Sequence, residues 1–111
     1  MSAADRAKIL VVDDLAEKLF TYQAILEELG QEVFIAHGGS EALRLVLQHD
    51  FAVVLLDVNM PDIDGFETAA MIRSRPRSSH VPVIFLTAYA DEMRIGEAYA
   101  HGAVDFMLTP V

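Results

Sequence analysis

Three aspartates follow apolar runs, at the points where strands of a buried sheet would end. Asp57 follows the apolar run of residues 51–56, and Asp13 and Asp14 follow the shorter run Lys8–Val12. Unbroken runs rich in Val and Leu are typical of strands that helices cover on both faces of a parallel sheet. Ligands and chemistry are found in the crevice beyond the carboxyl ends of such strands. The sequence therefore predicts that the three carboxylates meet at one edge of a sheet.

Three carboxylates held close together repel one another, which raises their pKa values and lowers stability near neutral pH. A hard divalent cation relieves this repulsion, and Mg²⁺ prefers oxygen ligands. No His or Cys lies among these residues, which disfavours zinc and copper. A carboxylate beside a cation can also attack phosphorus and form an acyl phosphate. Thr87 ends another apolar run and is placed to donate a hydrogen bond to a phosphoryl oxygen, although taken alone it is an ordinary strand-end threonine.

Composition limits the classes of protein to which the chain can belong. Its 111 residues fit one domain. The formal net charge of −9 argues against nucleic-acid binding, which needs clustered Lys and Arg. No stretch approaches the roughly 20 apolar residues that a membrane helix needs. The chain has no cysteine and no secretory pattern at its start, so we expect a cytoplasmic protein without disulfides.

Apolar patterning predicts strands and helices that alternate along the whole chain. The predicted strands cover residues 8–12, 32–36, 51–57, 83–86 and 103–108. The predicted helices cover residues 15–29 with Gly30 at the end, 41–47 with Ser40 as N-cap, 65–73, and 91–101. Such alternation favours right-handed crossovers and a parallel sheet. No helix follows the fifth strand, so we expect one face of the sheet to be less completely covered.

Five segments, in order, resemble the receiver domain of bacterial two-component response regulators, including the chemotaxis regulators. They are VVDD at 11–14, LLDVNMP at 55–61, DG at 64–65, FLTA at 85–88 and GAVDF at 102–106. The resemblance extends from Ile9 to Pro110, and some details are most similar to receivers of histidine kinases or multidomain regulators. It implies a flavodoxin-like, doubly wound, five-stranded parallel sheet. We interpret residues 1–111 as a single receiver domain and as part of a longer regulator or kinase-linked protein.

The resemblance also implies roles for the strand-end residues. Asp57 would accept a phosphoryl group from a phosphohistidine of a histidine kinase or phosphotransfer protein. Asp13, Asp14, Asp57 and the backbone carbonyl of Asn59 would hold Mg²⁺ or Mn²⁺. Thr87 would be the switch hydroxyl. Such a domain is not a conventional enzyme, because it catalyses its own phosphorylation and dephosphorylation.

Further residues match variable positions of the family. Phe106 stands at the aromatic switch position, and Asn59 and Tyr89 occupy positions that tune the lifetime of the acyl phosphate. Thr109 replaces the usual lysine, which removes a positive charge from the site. The family's fifth helix has no counterpart here, and we expect self-association through the fourth helix and fifth strand.

Three alternatives remain at this point. The substitution at Thr109 and the lack of a fifth helix are compatible with a degenerate receiver that acts as a phosphorylation-independent interaction module. Haloacid-dehalogenase phosphatases also form an aspartyl phosphate, but they need an acid where this chain has Asn59. A flavodoxin-like cofactor binder would need a phosphate loop after the first strand, where Asp13 and Asp14 would repel phosphate.

Overall fold

Strands and helices alternate along the chain, and all of the strands join one parallel sheet. The computed structural model describes residues 7–58, 60, 63–88 and 105–109. In chain order the elements are β1 (Lys8–Val12), α1 (Ala16–Glu28), β2 (Glu32–Ala36), α2 (Gly39–Gln48), β3 (Val53–Asp57), α3 (Gly65–Ser74), β4 (Val83–Ala88) and β5 (Asp105–Thr109). The strand order is β2-β1-β3-β4-β5, with every neighbouring pair parallel. This is the doubly wound, flavodoxin-like order that the sequence predicts.

Alternate residues of the strands face opposite sides of the sheet. On β1, Leu10 and Val12 pack with residues of α2 and α3, whereas Ile9 and Val11 pack with residues of α1. β1 thus anchors helices on both faces of the sheet, because successive side chains of a strand point in opposite directions. On β3 the two sides differ: Val54 and Leu56 are fully buried, whereas Val53, Leu55 and Asp57 are half-buried.

The end of α1 has the geometry that Gly30 predicts. Gly30 adopts φ 87°, a left-handed conformation that glycine reaches without steric cost. Its N–H donates to the carbonyl of Glu27 at 2.9 Å, and the N–H of Gln31 donates to the carbonyl of Leu26 at 3.2 Å. These two bonds form a Schellman motif, which satisfies carbonyls at the helix end and turns the chain into β2.

The predicted start of α2 is wrong, because Ser40 is not its N-cap. The helix begins at Gly39, with Gly38 as the capping residue. The carbonyl of Gly38 accepts the N–H of Ala42 at 3.1 Å, which closes the first turn before Ser40. An added Cβ at Gly39 would collide with the Thr68 hydroxyl and lie 3.0 Å from Cβ of Ile63. Glycine therefore permits this close approach between the start of α2 and the chain around α3.

Other predicted boundaries shift by a few residues. Leu15 and Leu29 are 51% and 65% exposed and flank α1 rather than belonging to its buried face. Residues 51–52 precede β3 rather than belonging to it, although Phe51 is buried in the hydrophobic core. The predicted fourth helix and residues 103–104 lie outside the described residues. No helix among the described residues is both long and apolar enough to cross a membrane.

Candidate functional site

The acidic site lies where β1 and β3 end side by side. Val12 pairs with Leu56, so the residues that follow them, Asp13 and Asp57, emerge from the same edge of the sheet. One carboxylate oxygen from each of Asp13, Asp14 and Asp57 lies within 4.8 Å of the other two. Within the part of the chain that the structure describes, these residues form a group close enough to share one cation. The structure thus brings together the three carboxylates that the strand ends predicted.

The three carboxylates differ in exposure. Asp13 is 1% exposed, Asp57 is half-buried and Asp14 is exposed. Burial is the main reason that the pKa of the Asp13 carboxyl is raised, because it disfavours the charged form. The backbone N–H of Leu15, which donates to Asp13 Oδ1 at 3.0 Å, and the charge of Lys18 oppose this shift. Repulsion from Asp14 adds to it less than burial does, so the predicted cause, mutual repulsion, is secondary for Asp13.

The start of α3 is held against the backbone at the end of β3. The N–H of Gly65 donates to the carbonyl of Val58 at 2.8 Å. Asp64 caps α3 by accepting the N–H of Glu67 at 2.8 Å. An added Cβ at Gly65 would collide with the carbonyl oxygen of Asp57 and lie 2.8 Å from Cα of Val58. The absence of a side chain at Gly65 therefore lets α3 begin directly against the acidic site.

Helix α1 supplies two residues near the acids that the sequence analysis missed. Lys18 lowers the pKa of Asp13 by its positive charge. The pKa of Tyr22 is raised, first by burial and then by the negative charges of Asp13 and Asp57. The spacing of four residues places Lys18 and Tyr22 on one face of the helix, and this spacing is the signal that could have identified them.

The backbone register places the ends of β4 and β5 beside the acidic edge. Asp57 pairs with Leu86, so Thr87 follows one residue beyond the level of Asp57. Ala88 pairs with Thr109, which is the last residue of β5. Phe106 pairs with Phe85, which pairs with Leu56, so Phe106 lies one residue before the level of Asp57. Asn59 and Tyr89 lie outside the described residues.

The donor set fits a hard divalent cation. All three clustered side chains offer carboxylate oxygens, which suit Mg²⁺ and Mn²⁺. The buried carboxyl of Asp13 carries a raised pKa, so a cation would stabilise its charged form. The site is therefore chemically suited to binding one divalent metal ion.

Residues 9–111 match the response regulator receiver domain family. The chain belongs to this family. The match covers nearly the whole sequence and agrees with the strand order and with the acidic site at the carboxyl edge. Receiver domains take up phosphoryl groups in two-component signalling, and this chain is a phosphoacceptor domain of that class. The family match favours this function over the phosphorylation-independent alternative.

Individual proteins agree with the family match. The chain is 35% identical over 109 residues to the transcriptional regulatory protein ZraR of Klebsiella oxytoca, with 98% of this chain and 24% of ZraR covered. The chemotaxis protein CheY4 of Vibrio cholerae has a similar structure, with a TM-score of 0.91 and 32% identity. That likeness covers 96% of this chain and 88% of CheY4. The chain thus spans about a quarter of the length of ZraR but most of CheY4.

A third similar structure contains a metal ion. It is the receiver domain of a sensor histidine kinase from Pseudomonas aeruginosa, with magnesium coordinated in its active-site cleft. The TM-score is 0.88 at 27% identity, with 96% of this chain and 87% of that domain covered.

Proposed function

We propose that Asp57 of this receiver domain accepts a phosphoryl group from a phosphohistidine on a histidine kinase or phosphotransfer protein. The observation that carries the proposal is the convergence of Asp13, Asp14 and Asp57 at one edge of the sheet. Asp57 is the last residue of a central strand, so the sheet fixes the position of its backbone. The residue is half-buried, which leaves its carboxylate accessible to solvent. Fixed positioning of a nucleophile is a large part of catalysis of phosphoryl transfer.

Mg²⁺ or Mn²⁺ is the proposed cofactor. Asp13, Asp14, Asp57 and the backbone carbonyl of Asn59 would hold it. When bound, the ion would neutralise charge on the phosphoryl oxygens that face these carboxylates. The acidic cluster and the magnesium-containing receiver domain of similar structure support this assignment.

The proposed reaction is a direct transfer. A carboxylate oxygen of Asp57 attacks phosphorus, the bond from phosphorus to the imidazole nitrogen breaks, and the donor histidine retains that electron pair. The products are an acyl phosphate on Asp57 and an unphosphorylated histidine. Thr87 is proposed to donate its hydroxyl hydrogen to a phosphoryl oxygen, since its strand position is one residue beyond the level of Asp57.

The remaining residues are proposed to shape the response to phosphorylation. Thr109 ends β5 beside β4, where the family has a lysine, and a threonine hydroxyl carries no net charge. We therefore expect a weaker electrostatic response at this position than a lysine would give. Phe106 is proposed as the aromatic switch residue, and Asn59 and Tyr89 as residues that set the lifetime of the acyl phosphate.

Intact-mass measurement after incubation with a small phosphoryl donor tests the proposal. We expect acetyl phosphate or phosphoramidate with Mg²⁺ to add one phosphoryl group, and EDTA to prevent the addition. Asp57→Asn should abolish it, because an amide is a poor nucleophile. Asp50→Asn is the matched control, since Asp50 is an exposed acid outside the cluster. Retention of the adduct in Asp57→Asn would assign the nucleophile to another residue.

A further inference from the structure

A cavity lies at the edge of the sheet opposite the acidic site. Its volume is about 450 Å³. The residues that line it are Ala7, Lys8, Gln48, His49, Asp50, Phe51, Ala52 and Arg77. Lys8 begins β1, and its carbonyl accepts the N–H of Ala52 at 2.8 Å, just before β3. Lys8 is five residues before Asp13, which corresponds to about 16 Å along a strand.

Lys8 is a cation with no acidic partner among the residues that the structure describes. Its Nζ lies 3.4 Å from Nδ1 of His49 and 5.8 Å from the centroid of the Phe34 ring. An ammonium group can only donate, so this contact is a hydrogen bond when Nδ1 is the unprotonated ring nitrogen. No carboxylate among the described residues lies within salt-bridge distance of this ammonium.

Arg77 places a second cation at the cavity in a fixed orientation. Its Nε donates to Asp50 Oδ1 at 3.1 Å, and its Nη1 donates to the carbonyl of Leu47 at 2.7 Å. A guanidinium has five N–H donors, and these two bonds leave three for another acceptor. The side chain remains 49% exposed, so these donors are accessible.

Two phenylalanine rings hold the His49 ring in place at the cavity. The centroids of His49 and Phe34 are 4.4 Å apart, and those of Phe34 and Phe51 are 5.4 Å apart in an edge-on arrangement. Phe51 is buried, and it lines the cavity with His49, while both rings pack against Phe34. A preformed wall lowers the cost of ordering the site when a ligand binds.

We propose that this cavity binds a small oxyanion, such as the phosphate or carboxylate group of a metabolite. The oxyanion would accept charge-assisted hydrogen bonds from Lys8 Nζ and from the guanidinium of Arg77, which matches oxyanion geometry. Lys8, Asp50 and Arg77 are the charged groups that line the cavity with His49, and the exposed Asp50 is already paired with Arg77. This site is separate from the acidic edge and does not depend on phosphorylation of Asp57.

Titration of ¹⁵N-labelled protein with sodium phosphate, and separately with sodium malonate, tests the proposal. EDTA keeps the acidic edge free of metal, so that its carboxylates repel anions. Constant ionic strength keeps the screening of charges the same throughout the titration. We expect saturable amide shifts at residues 8, 49, 52 and 77, without comparable shifts at residues 13 and 14. Saturation by phosphate alone identifies a phosphate site, and saturation by malonate alone identifies a carboxylate site. Failure of both anions to saturate overturns the proposal.

Two cavity variants and one matched control separate a specific site from general charge attraction. Lys8→Met keeps the apolar stem and should weaken binding about tenfold, the effect of losing a hydrogen bond to a charged group. Arg77→Gln should weaken anion binding by a similar factor. This variant alone tests the site if Lys8→Met does not fold. Arg44→Gln also removes one exposed positive charge, but from α2 and outside the cavity, so binding should not change. Equal weakening in all three variants would overturn the proposal.

Discussion

Asp13 is the most buried of the three clustered carboxylates, and this burial disfavours its charged form. Its carboxyl accepts one backbone hydrogen bond and experiences the charge of Lys18, yet burial dominates and its pKa is raised. Burial also limits the movement of the Asp13 side chain. The hydrogen bond from the Leu15 N–H to Oδ1 holds the carboxylate in one orientation, which suits metal binding. Asp14 is exposed, so its substitution should leave the packed core unchanged.

The raised pKa of Asp13 predicts a pH dependence for the metal-free protein. A carboxyl with a higher pKa in the folded state holds its proton longer there than in the unfolded state. The free energy of unfolding should therefore fall as pH rises from the unfolded value of about 3.9 through the raised folded value. Urea unfolding in EDTA from pH 4 to pH 7 measures this loss. Asp13→Asn removes the titrating group, so wild type should lose stability relative to this variant, and a constant difference would contradict the assignment.

The two glycines at the starts of α2 and α3 set how closely these helices approach their neighbours. Gly65 faces the fixed backbone of Asp57 and Val58, whereas the closest atoms to Gly39 belong to the side chains of Thr68 and Ile63. The backbone at Asp57 cannot rotate away, whereas the Thr68 hydroxyl can turn if it gives up its 2.9 Å hydrogen bond to the carbonyl of Asp64. The two positions therefore form a matched pair for testing how the helix starts support the acidic site.

We expect Gly65→Ala to reduce stability by roughly 1–3 kcal/mol, the usual cost of forcing extra volume into a packed region. Gly39→Ala should cost less, because the Thr68 hydroxyl can move. Gly65→Ala should also slow phosphorylation of Asp57, whose backbone it would displace, while Gly39→Ala should not. Chemical denaturation and the rate of adduct formation with acetyl phosphate measure both effects. Equal losses of stability and rate in the two variants would show that the Asp57 backbone is not specially constrained.

At the scale of the whole molecule, the sheet has an acidic edge and an opposite edge with Lys8 and Arg77. The acidic edge could be predicted, because each apolar run shows where a strand ends and parallel strands share their carboxyl edge. The cavity at the opposite edge could not, because Lys8 and His49 are 41 residues apart and meet only through packing. The start of α2 was missed for a similar reason, since Gly39 is required by the neighbouring Thr68 and Ile63 rather than by local sequence.

The thermal shift that Mg²⁺ produces tests most directly whether the three carboxylates act as one site. A ligand bound only by the folded state adds about 2.7 kcal/mol of stability at a hundredfold excess over Kd. In a domain of this size, that corresponds to a rise in melting temperature on the order of 10 °C. At pH 7 we expect such a rise in wild type and in Asp50→Asn, and little or none in Asp14→Asn. No rise in wild type, or an equal rise in Asp14→Asn, would contradict a metal site built from Asp13, Asp14 and Asp57.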